Sequence, residues 1–375
     1  MSLKVVLVGC GKIADGHVEE IQKLPQIARL VAVCDVEELM AEQLARRFDI
    51  PAHYSNFSQM LDRETPDVVH IATPPQHHLH LARTAVDAGC HVYVEKPLAP
   101  SLAEATELLH YAESHSRKAT VNYTYWFDPP ALAMRELIAK GELGDPIHVE
   151  SVYGYNLAGP FGSALLADPN HWVHQLPGKL FQNNIDHMIN KLVEFIRDES
   201  PEVHARALVR RSLRFGDVRD EMEDELRLSL TGAKMTASGL FSSSARPVGH
   251  YCRVFGTKNT LTVDYVARTV TFDEAPHLPS AIGRLLPAFG SSLQFARAGI
   301  DNVRRFVRSD FHFFSGLGEL IRRFYGCVEH DTPPPIAYRD ILRVTEIMER
   351  IWQELANQRM TASIPRTANG LARPA

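Results

Sequence analysis

The strongest constraint on this chain is an alternation. From Lys4 to about Asn122, short apolar runs (KVVLVG, RLVAVCD, DVVHIAT, HVYVEKP) are separated by stretches whose apolar residues recur at helical spacing. Brief apolar runs of this kind read as strands buried on both faces, and their alternation with helices predicts βαβ units in a doubly wound parallel sheet. Ser101 and Glu104, three apart before a helical pattern, form a capping box that starts one more helix. ATVNY then reads as the last strand.

After that the texture changes. A helix pattern, PPALAMRELIAKGEL, leads into IHVESVYGY, and beyond about residue 200 polar and apolar residues alternate in HARALVRRS, DELRLSLTGAKMTASGLFS, HYCRVFGTKNTLTVDYV and RTVTF. Such runs, joined by T-G-A-K and G-T-K-N turns, predict a mostly antiparallel open sheet. The predicted fold class is α/β: a Rossmann-type doubly wound parallel sheet over residues 1–123, then an α+β domain with a mostly antiparallel open sheet over 124–360. Residues 361–375 are expected to be a flexible tail. A length of 375 residues exceeds one ordinary core and fits two domains.

Charge excludes some partners. Lys+Arg total 40 against Asp+Glu 45, with no basic run, so neither nucleic acid nor membrane is expected as a partner, and a small molecule is. Five scattered cysteines without a C-x-x-C give no disulfide framework and no zinc pattern. The apolar run at Val5–Val8 is too short for a signal peptide, and no stretch approaches the roughly 18 apolar residues of a span. A cytoplasmic protein is expected.

Gly9-Cys10-Gly11-Lys12-Ile13-Ala14 is a G-x-G-x-x-A turn between the first strand and the first helix. In such a turn the first glycine allows the bend, the second lets backbone approach a pyrophosphate, and the small last residue lets helix and strand pack. Asp35 ends RLVAVCD, about where an acid bonds the adenosine ribose hydroxyls. That carboxylate would repel a 2′-phosphate and Val36 offers nothing to bind one, so NAD is expected over NADP. Arg46 and Arg47 on the next helix are the counter-argument.

The most informative stretch is Thr73-Pro74-Pro75-Gln76-His77-His78, a helix, and then AGCHVYVEKPLA. Here the chain resembles the glucose-fructose oxidoreductase, inositol dehydrogenase and MocA family, whose "TP…H…A…AG.HV..EKP" string is matched at Thr73, Pro74, His78, Ala82, Ala88, Gly89, His91, Val92, Glu95, Lys96 and Pro97. GTKNTLTVD and PPPIAYRDILRVTEIMERIWQEL extend the resemblance over nearly the whole chain. It implies that Lys96 stands beside nicotinamide and substrate, sharing a hydroxyl proton as hydride leaves the same carbon. It implies cofactor contacts at Gly9, Gly11, Lys12, Ile13, Asp35, Thr73, Pro74, Pro75, His78, Glu95 and Thr124.

The family's "GGG.L.D.G.H..D" signature corresponds to residues 177–190. His187 matches the active-site histidine, while Asn183 and Asn190 stand where relatives carry aspartates. On one helix, Asn183 and His187 would share a face and point at one ligand. The expected division is acid/base work for Lys96 and His187, with Asn183 orienting. Where relatives read "G.N.RF.P", this chain has Thr124 for the asparagine and Trp126 for the arginine, so no relative's substrate is assumed. Tyr125, Trp126 and Trp172 offer stacking faces to a sugar, although aromatic residues at such spacing are often simply core. His77, His78, His80, His171 and His174 lack carboxylate or thiol partners at ligand spacing, so no metal is expected.

The resemblance implies an NAD-dependent dehydrogenase or reductase acting on a secondary alcohol or ketone of a sugar, polyol or sugar derivative, and a homodimer or homotetramer. Two rivals use the same scaffold: a glycoside hydrolase that recycles NAD through transient oxidation, and a non-catalytic sugar-sensing regulator. One segment, residues 279–314, fits neither domain pattern. It is expected to be an amphipathic helix interrupted near Pro287 and Gly290, its apolar face covering the chain's own domain or a neighbouring subunit in preference to lying on a membrane surface. Its arginines are expected at the opposite edge, facing an acidic substrate.

Overall fold

The computed structural model describes residues 2–210, 213–215, 218–220, 222–274, 280–308 and 315–363. Its first unit is a six-stranded, wholly parallel sheet: β1 (Leu3–Val8), β2 (Ala28–Cys34), β3 (Ala52–Tyr54), β4 (Val68–Ile71), β5 (His91–Val94) and β6 (Ala119–Val121), in the order β3-β2-β1-β4-β5-β6. The helices between strands are α1 (Ala14–Gln22), α2 (Glu38–Arg47), α3 (Phe57–Glu64), α4 (His78–Asp87) and α5 (Leu102–Ser114). Strand order reverses between β1 and β4, the crevice where such sheets bind ligands. The sequence pattern explains the burial: Val5, Val6, Leu7, Val68, Val69, Val92 and Val94 are sealed between two helical layers. Ser101 caps α5 by accepting from the Glu104 amide, as the capping box requires. The short strand β3 carries too few residues to show a period.

The second unit begins with α6 (Pro129–Ala139), β7 (Pro146–Gly154), α7 (Pro160–Ala167), α8 (Lys179–Asn184) and α9 (Asp186–Phe195). There follow β8 (Glu202–Leu208), the small pair β9 (Leu213–Phe215) and β10 (Val218–Asp220), β11 (Glu225–Thr231), β12 (Thr236–Ser242), β13 (His250–Gly256), β14 (Asn259–Asp264) and β15 (Thr269–Glu274). Seven of these make a sheet in the order β15-β14-β13-β7-β12-β11-β8, antiparallel except between β7 and β12. Period-two burial along β11 and β12 turns Leu226, Leu228, Leu230 and Phe241 toward the helices. α9 packs on β7 and β12.

Three helices complete the chain: α10 (Ser280–Val307), α11 (Ser315–Glu329) and α12 (Tyr338–Ser363). α11 returns to α1, and α12 lies against α5, α9 and β8. From α12, Glu349 accepts the Leu102 amide at 2.5 Å, and the Trp352 ring sits where a Cβ on Gly178 would come within 2.4 Å. α10 runs unbroken through Pro287 and Gly290, correcting the expected interruption, and its apolar residues are exposed. Residues 279 and 309–314 of that segment, and 364–375 of the expected tail, lie outside the described residues.

Candidate active site

The glycine turn closes the carboxyl edge of β1. Gly9 has φ 95°, and a Cβ there would stand 2.6 Å from the Ala72 carbonyl, so both dihedral and space require glycine. A Cβ at Gly11 would meet nothing within 4 Å. The turn thus leaves room beside its second glycine for a diphosphate at the start of α1. Lys12 is exposed and Ile13 half-buried beside it. Asp35 holds the turn, accepting the Cys10 amide at 2.7 Å and the Glu37 amide at 3.0 Å. This chemistry fits a dinucleotide. Arg46 is ion-paired with Glu42, and Arg47 with Asp15.

Across the switch point, Pro75 starts a short 3-10 turn and is buried, while Thr73 and Pro74 remain partly open. His78 is fully buried, with Nδ1 3.1 Å from the Leu98 carbonyl and Nε2 2.8 Å from the Thr73 carbonyl. It therefore stitches two loops together, both ring nitrogens being engaged. Thr124 lies in a 3-10 turn, its carbonyl 2.3 Å from where a Cβ on Gly316 would stand.

Glu95 anchors a buried chain of polar groups. His17 Nε2 lies 2.7 Å from Glu95 Oε1, His17 Nδ1 2.9 Å from His70 Nδ1, and the Tyr325 hydroxyl 2.8 Å from His70 Nε2. One assignment satisfies every contact with neutral rings: Tyr325 donates to His70, His70 to His17, and His17 to Glu95. Asn122 also donates to Glu95 and accepts from the Tyr93 hydroxyl at 2.7 Å. Burial alone would raise the Glu95 pKa, but hydrogen bonding to His17, the nearby charge on Lys96 and the Asn122 amide hold it below the usual value.

Lys96 follows β5 and crosses to the second unit, donating from Nζ to the Asn183 carbonyl at 2.8 Å. Asn183 lies in the last turn of α8 and His187 belongs to α9, with a turn at Ile185 between them. They are not on one helix as expected, and Asn183 reaches Lys96 through its main chain. Around His187 lie the Tyr125 ring at 4.9 Å and the Tyr153 ring at 5.2 Å between centroids. Burial first, then the charges of Lys96 and Lys191, keep His187 well below the ordinary histidine pKa. Trp126 is buried, with Nε1 bonded to the Asn190 carbonyl at 3.0 Å, so it belongs to the core.

The sequence reading missed Asp186, Lys191 and His250. Asp186 accepts the His187 amide on Oδ1, yet Oδ2 has no hydrogen-bond partner among the described residues; burial pushes its pKa up to about 6. Lys191 is 1 % exposed, bonds the His187 carbonyl, and lies 4.9 and 4.7 Å from the Tyr125 and Tyr265 ring centroids. Burial lowers its pKa to about 7. Its spacing of four from His187 was the available signal. Among the described residues, no three His, Cys, Asp or Glu side chains gather to hold a metal, and no helix is long and apolar enough to cross a membrane.

Comparison with known proteins follows these two halves. An oxidoreductase-family model with an NAD-binding Rossmann fold matches residues 3–123, and the C-terminal domain model of the same family matches 131–262. An uncharacterised oxidoreductase of Bacillus subtilis is 22% identical over 258 residues, 69% of this chain and 72% of its own. D-glucoside 3-dehydrogenase of Escherichia coli is 29% identical over 143 residues, 38% of this chain; the match spans only 41% of that enzyme. A levoglucosan dehydrogenase solved with NADH and levoglucosan superposes with a TM-score of 0.78 at 18% identity, covering 96% of this chain and 98% of that one, a likeness of fold. With both halves matched, the chain belongs to the glucose-fructose oxidoreductase, inositol dehydrogenase and MocA family of NAD-binding oxidoreductases.

Proposed function

We propose that the protein interconverts a secondary alcohol and a ketone on a sugar, polyol or sugar derivative, using NAD in preference to NADP. The observation that carries this reading is the bond from Lys96 Nζ to the Asn183 carbonyl, which joins the strand end of the parallel sheet to the helix pair bearing His187. When bound, NAD held at the Gly9–Gly11 turn and Asp35 would supply the hydride chemistry. Lys96 hydrogen-bonds the reacting hydroxyl and shares its proton. His187, held neutral by burial and by neighbouring cations, serves as the base. Asn183 fixes the Lys96 ammonium through its carbonyl and orients the substrate. NAD is supported by Asp35 at the glycine turn and by the ion pairs that occupy Arg46 and Arg47. The two sugar-related relatives named above support the substrate class. Residues 1–123 form the cofactor domain and 124–360 the substrate domain, and the assembly is a homodimer or homotetramer.

Lys96→Ala should lower kcat by about two to four orders of magnitude while NADH affinity, read by fluorescence titration, stays within about twofold. An unchanged rate across a screen of polyols and sugars that the wild type turns over would remove Lys96 from the chemistry. Asp35→Ala should bring the Kd values of NAD and NADP closer together, and wild-type protein that already prefers NADP would refute the role given to Asp35.

A further inference from the structure

Helix α10 is attached by the side that chemistry would lead one to expect in water. The seam against the protein is small and polar: Ser291, Gln294, Ala298, Asn302 and Arg305, three and four apart, are its half-buried positions. Gln294 pins it to β15, accepting the Phe272 amide at 2.7 Å and donating to the Phe272 carbonyl at 2.8 Å, and Asn302 donates to the Ala267 carbonyl at 2.8 Å.

The opposite side carries Leu285, Phe289, Leu293, Ile300, Val303 and Val307, all exposed, with Phe289 at 67% and Val303 at 63%. Phe295 and Phe306 extend this face on one border. At about 100° per residue the uncharged arc is roughly 160° wide, and 28 residues make it about 42 Å long. An apolar face of that size is not left in water.

Charge identifies what covers it. Between Ser280 and Arg308 stand five arginines (Arg284, Arg297, Arg304, Arg305, Arg308) and a single acid, Asp301, which is paired with Arg304 at 2.9 Å. The whole chain is net −5, so this helix is a basic island on an acidic protein. Arg297, Arg304 and Arg308 follow one border of the apolar arc. A paired helix from a second copy would cover only a narrow seam, and a two-fold antiparallel pair would set those arginines against their own copies. An anionic bilayer surface takes both features, the acyl boundary receiving the wide arc and the headgroups the arginine border.

We propose that α10 is an in-plane anchor that docks the protein on anionic membrane surfaces. This departs from the expectation, drawn from whole-chain charge, that membranes are not a partner; the net value hides the segregation of arginine into one helix. The cleft between α10, α6 and β15, about 290 Å³ in volume, holds Arg297 and Arg305 and is lined by none of Lys96, Asn183 or His187. Arg297, exposed at the rim of this cleft, is therefore available to headgroups instead of to the substrate.

The test is flotation of the full chain with vesicles of phosphatidylcholine alone or with one third phosphatidylglycerol. Wild-type protein should float with the anionic vesicles at least about tenfold more than with neutral ones, and salt should reduce this. Leu293→Asp with Ile300→Asp should abolish flotation, and Arg297→Glu with Arg304→Glu should cut it about tenfold or more. All four positions are exposed, so unchanged circular dichroism and thermal midpoint are expected for both variants. No flotation of wild type, or equal flotation of the aspartate variant, would overturn the proposal. So would a fall in mass of that variant in lipid-free sedimentation equilibrium, which would make a second copy the occupant.

Discussion

Two buried polar clusters flank Lys96, and they are built differently. On the cofactor side, Glu95, His17, His70, Asn122, Tyr93 and Tyr325 form a chain in which each of those contacts has a donor and an acceptor. On the substrate side, Asp186 Oδ2, His187 Nδ1, His250 Nε2 and both side-chain polar atoms of Asn190 are buried with no hydrogen-bond partner among the described residues, and Lys191 is surrounded by rings. A satisfied network stiffens the fold it sits in, whereas an unsatisfied one lowers stability and shifts the ionisation of its groups. The difference separates scaffold from machinery: the first cluster holds a strand end still, and the second stays chemically responsive.

The sharpest way to break this comparison is at Glu95. Glu95→Ala strips the acceptor from His17 and Asn122 and should cost about 3–5 kcal/mol of stability, read as a large fall in denaturant midpoint. A cost below about 1 kcal/mol would show that the chain is not the brace described here.

The next largest effect has the opposite sign. Asp186 ionises near pH 4 when unfolded but at about 6 when folded, because burial resists its charge. The unfolded chain therefore releases its proton first, and wild-type stability falls as pH rises from about 4 to 6. A shift of roughly two units corresponds to about 3 kcal/mol. Asp186→Asn keeps the acceptor for the His187 amide and lacks this loss, so it should be the more stable protein at pH 7 and match wild type below pH 4. Urea titrations at both pH values decide it.

Lys191→Met acts at the alkaline end of the same cluster. Burial brings the Lys191 pKa down to about 7, so the unfolded chain binds a proton that the folded one resists, and stability falls as pH drops from about 10 toward 7. The variant should be the more stable protein at neutral pH and match wild type above pH 10. Removing this cation also raises the His187 pKa, moving the acid limb of kcat/KM to higher pH. A gain in stability with an unmoved limb would make Lys191 a packing residue only.

What the sequence disclosed depended on range. The parallel sheet, the glycine turn, the capping box at Ser101 and the two hairpin turns at Gly232 and Gly256 are local patterns, and they appear where the pattern puts them. So does the juxtaposition that β5 imposes on Lys96. The Tyr325–His70 contact spans 255 residues and leaves no local trace. The turn at Ile185 was hidden because Ile185 itself has helical dihedrals, so periodicity runs straight through it. Lys191 looked like any surface cation, since burial belongs to the tertiary structure. In α10 the periodicity was legible, but which face meets the protein was set by the side-chain amides of Gln294 and Asn302, which bond Phe272 and Ala267, not by hydrophobicity.

The position of α12 bears on how the chain is made. Its Glu349 closes on the Leu102 amide across 247 residues, and its Trp352 fills the space that Gly178 leaves under α8. The helix pair carrying Asn183 and His187 has no floor until Trp352 emerges. The start of α5 and the helix pair bearing Asn183 and His187 thus both wait for the last helix, and a chain ending before Glu349 would leave the two units unbraced together.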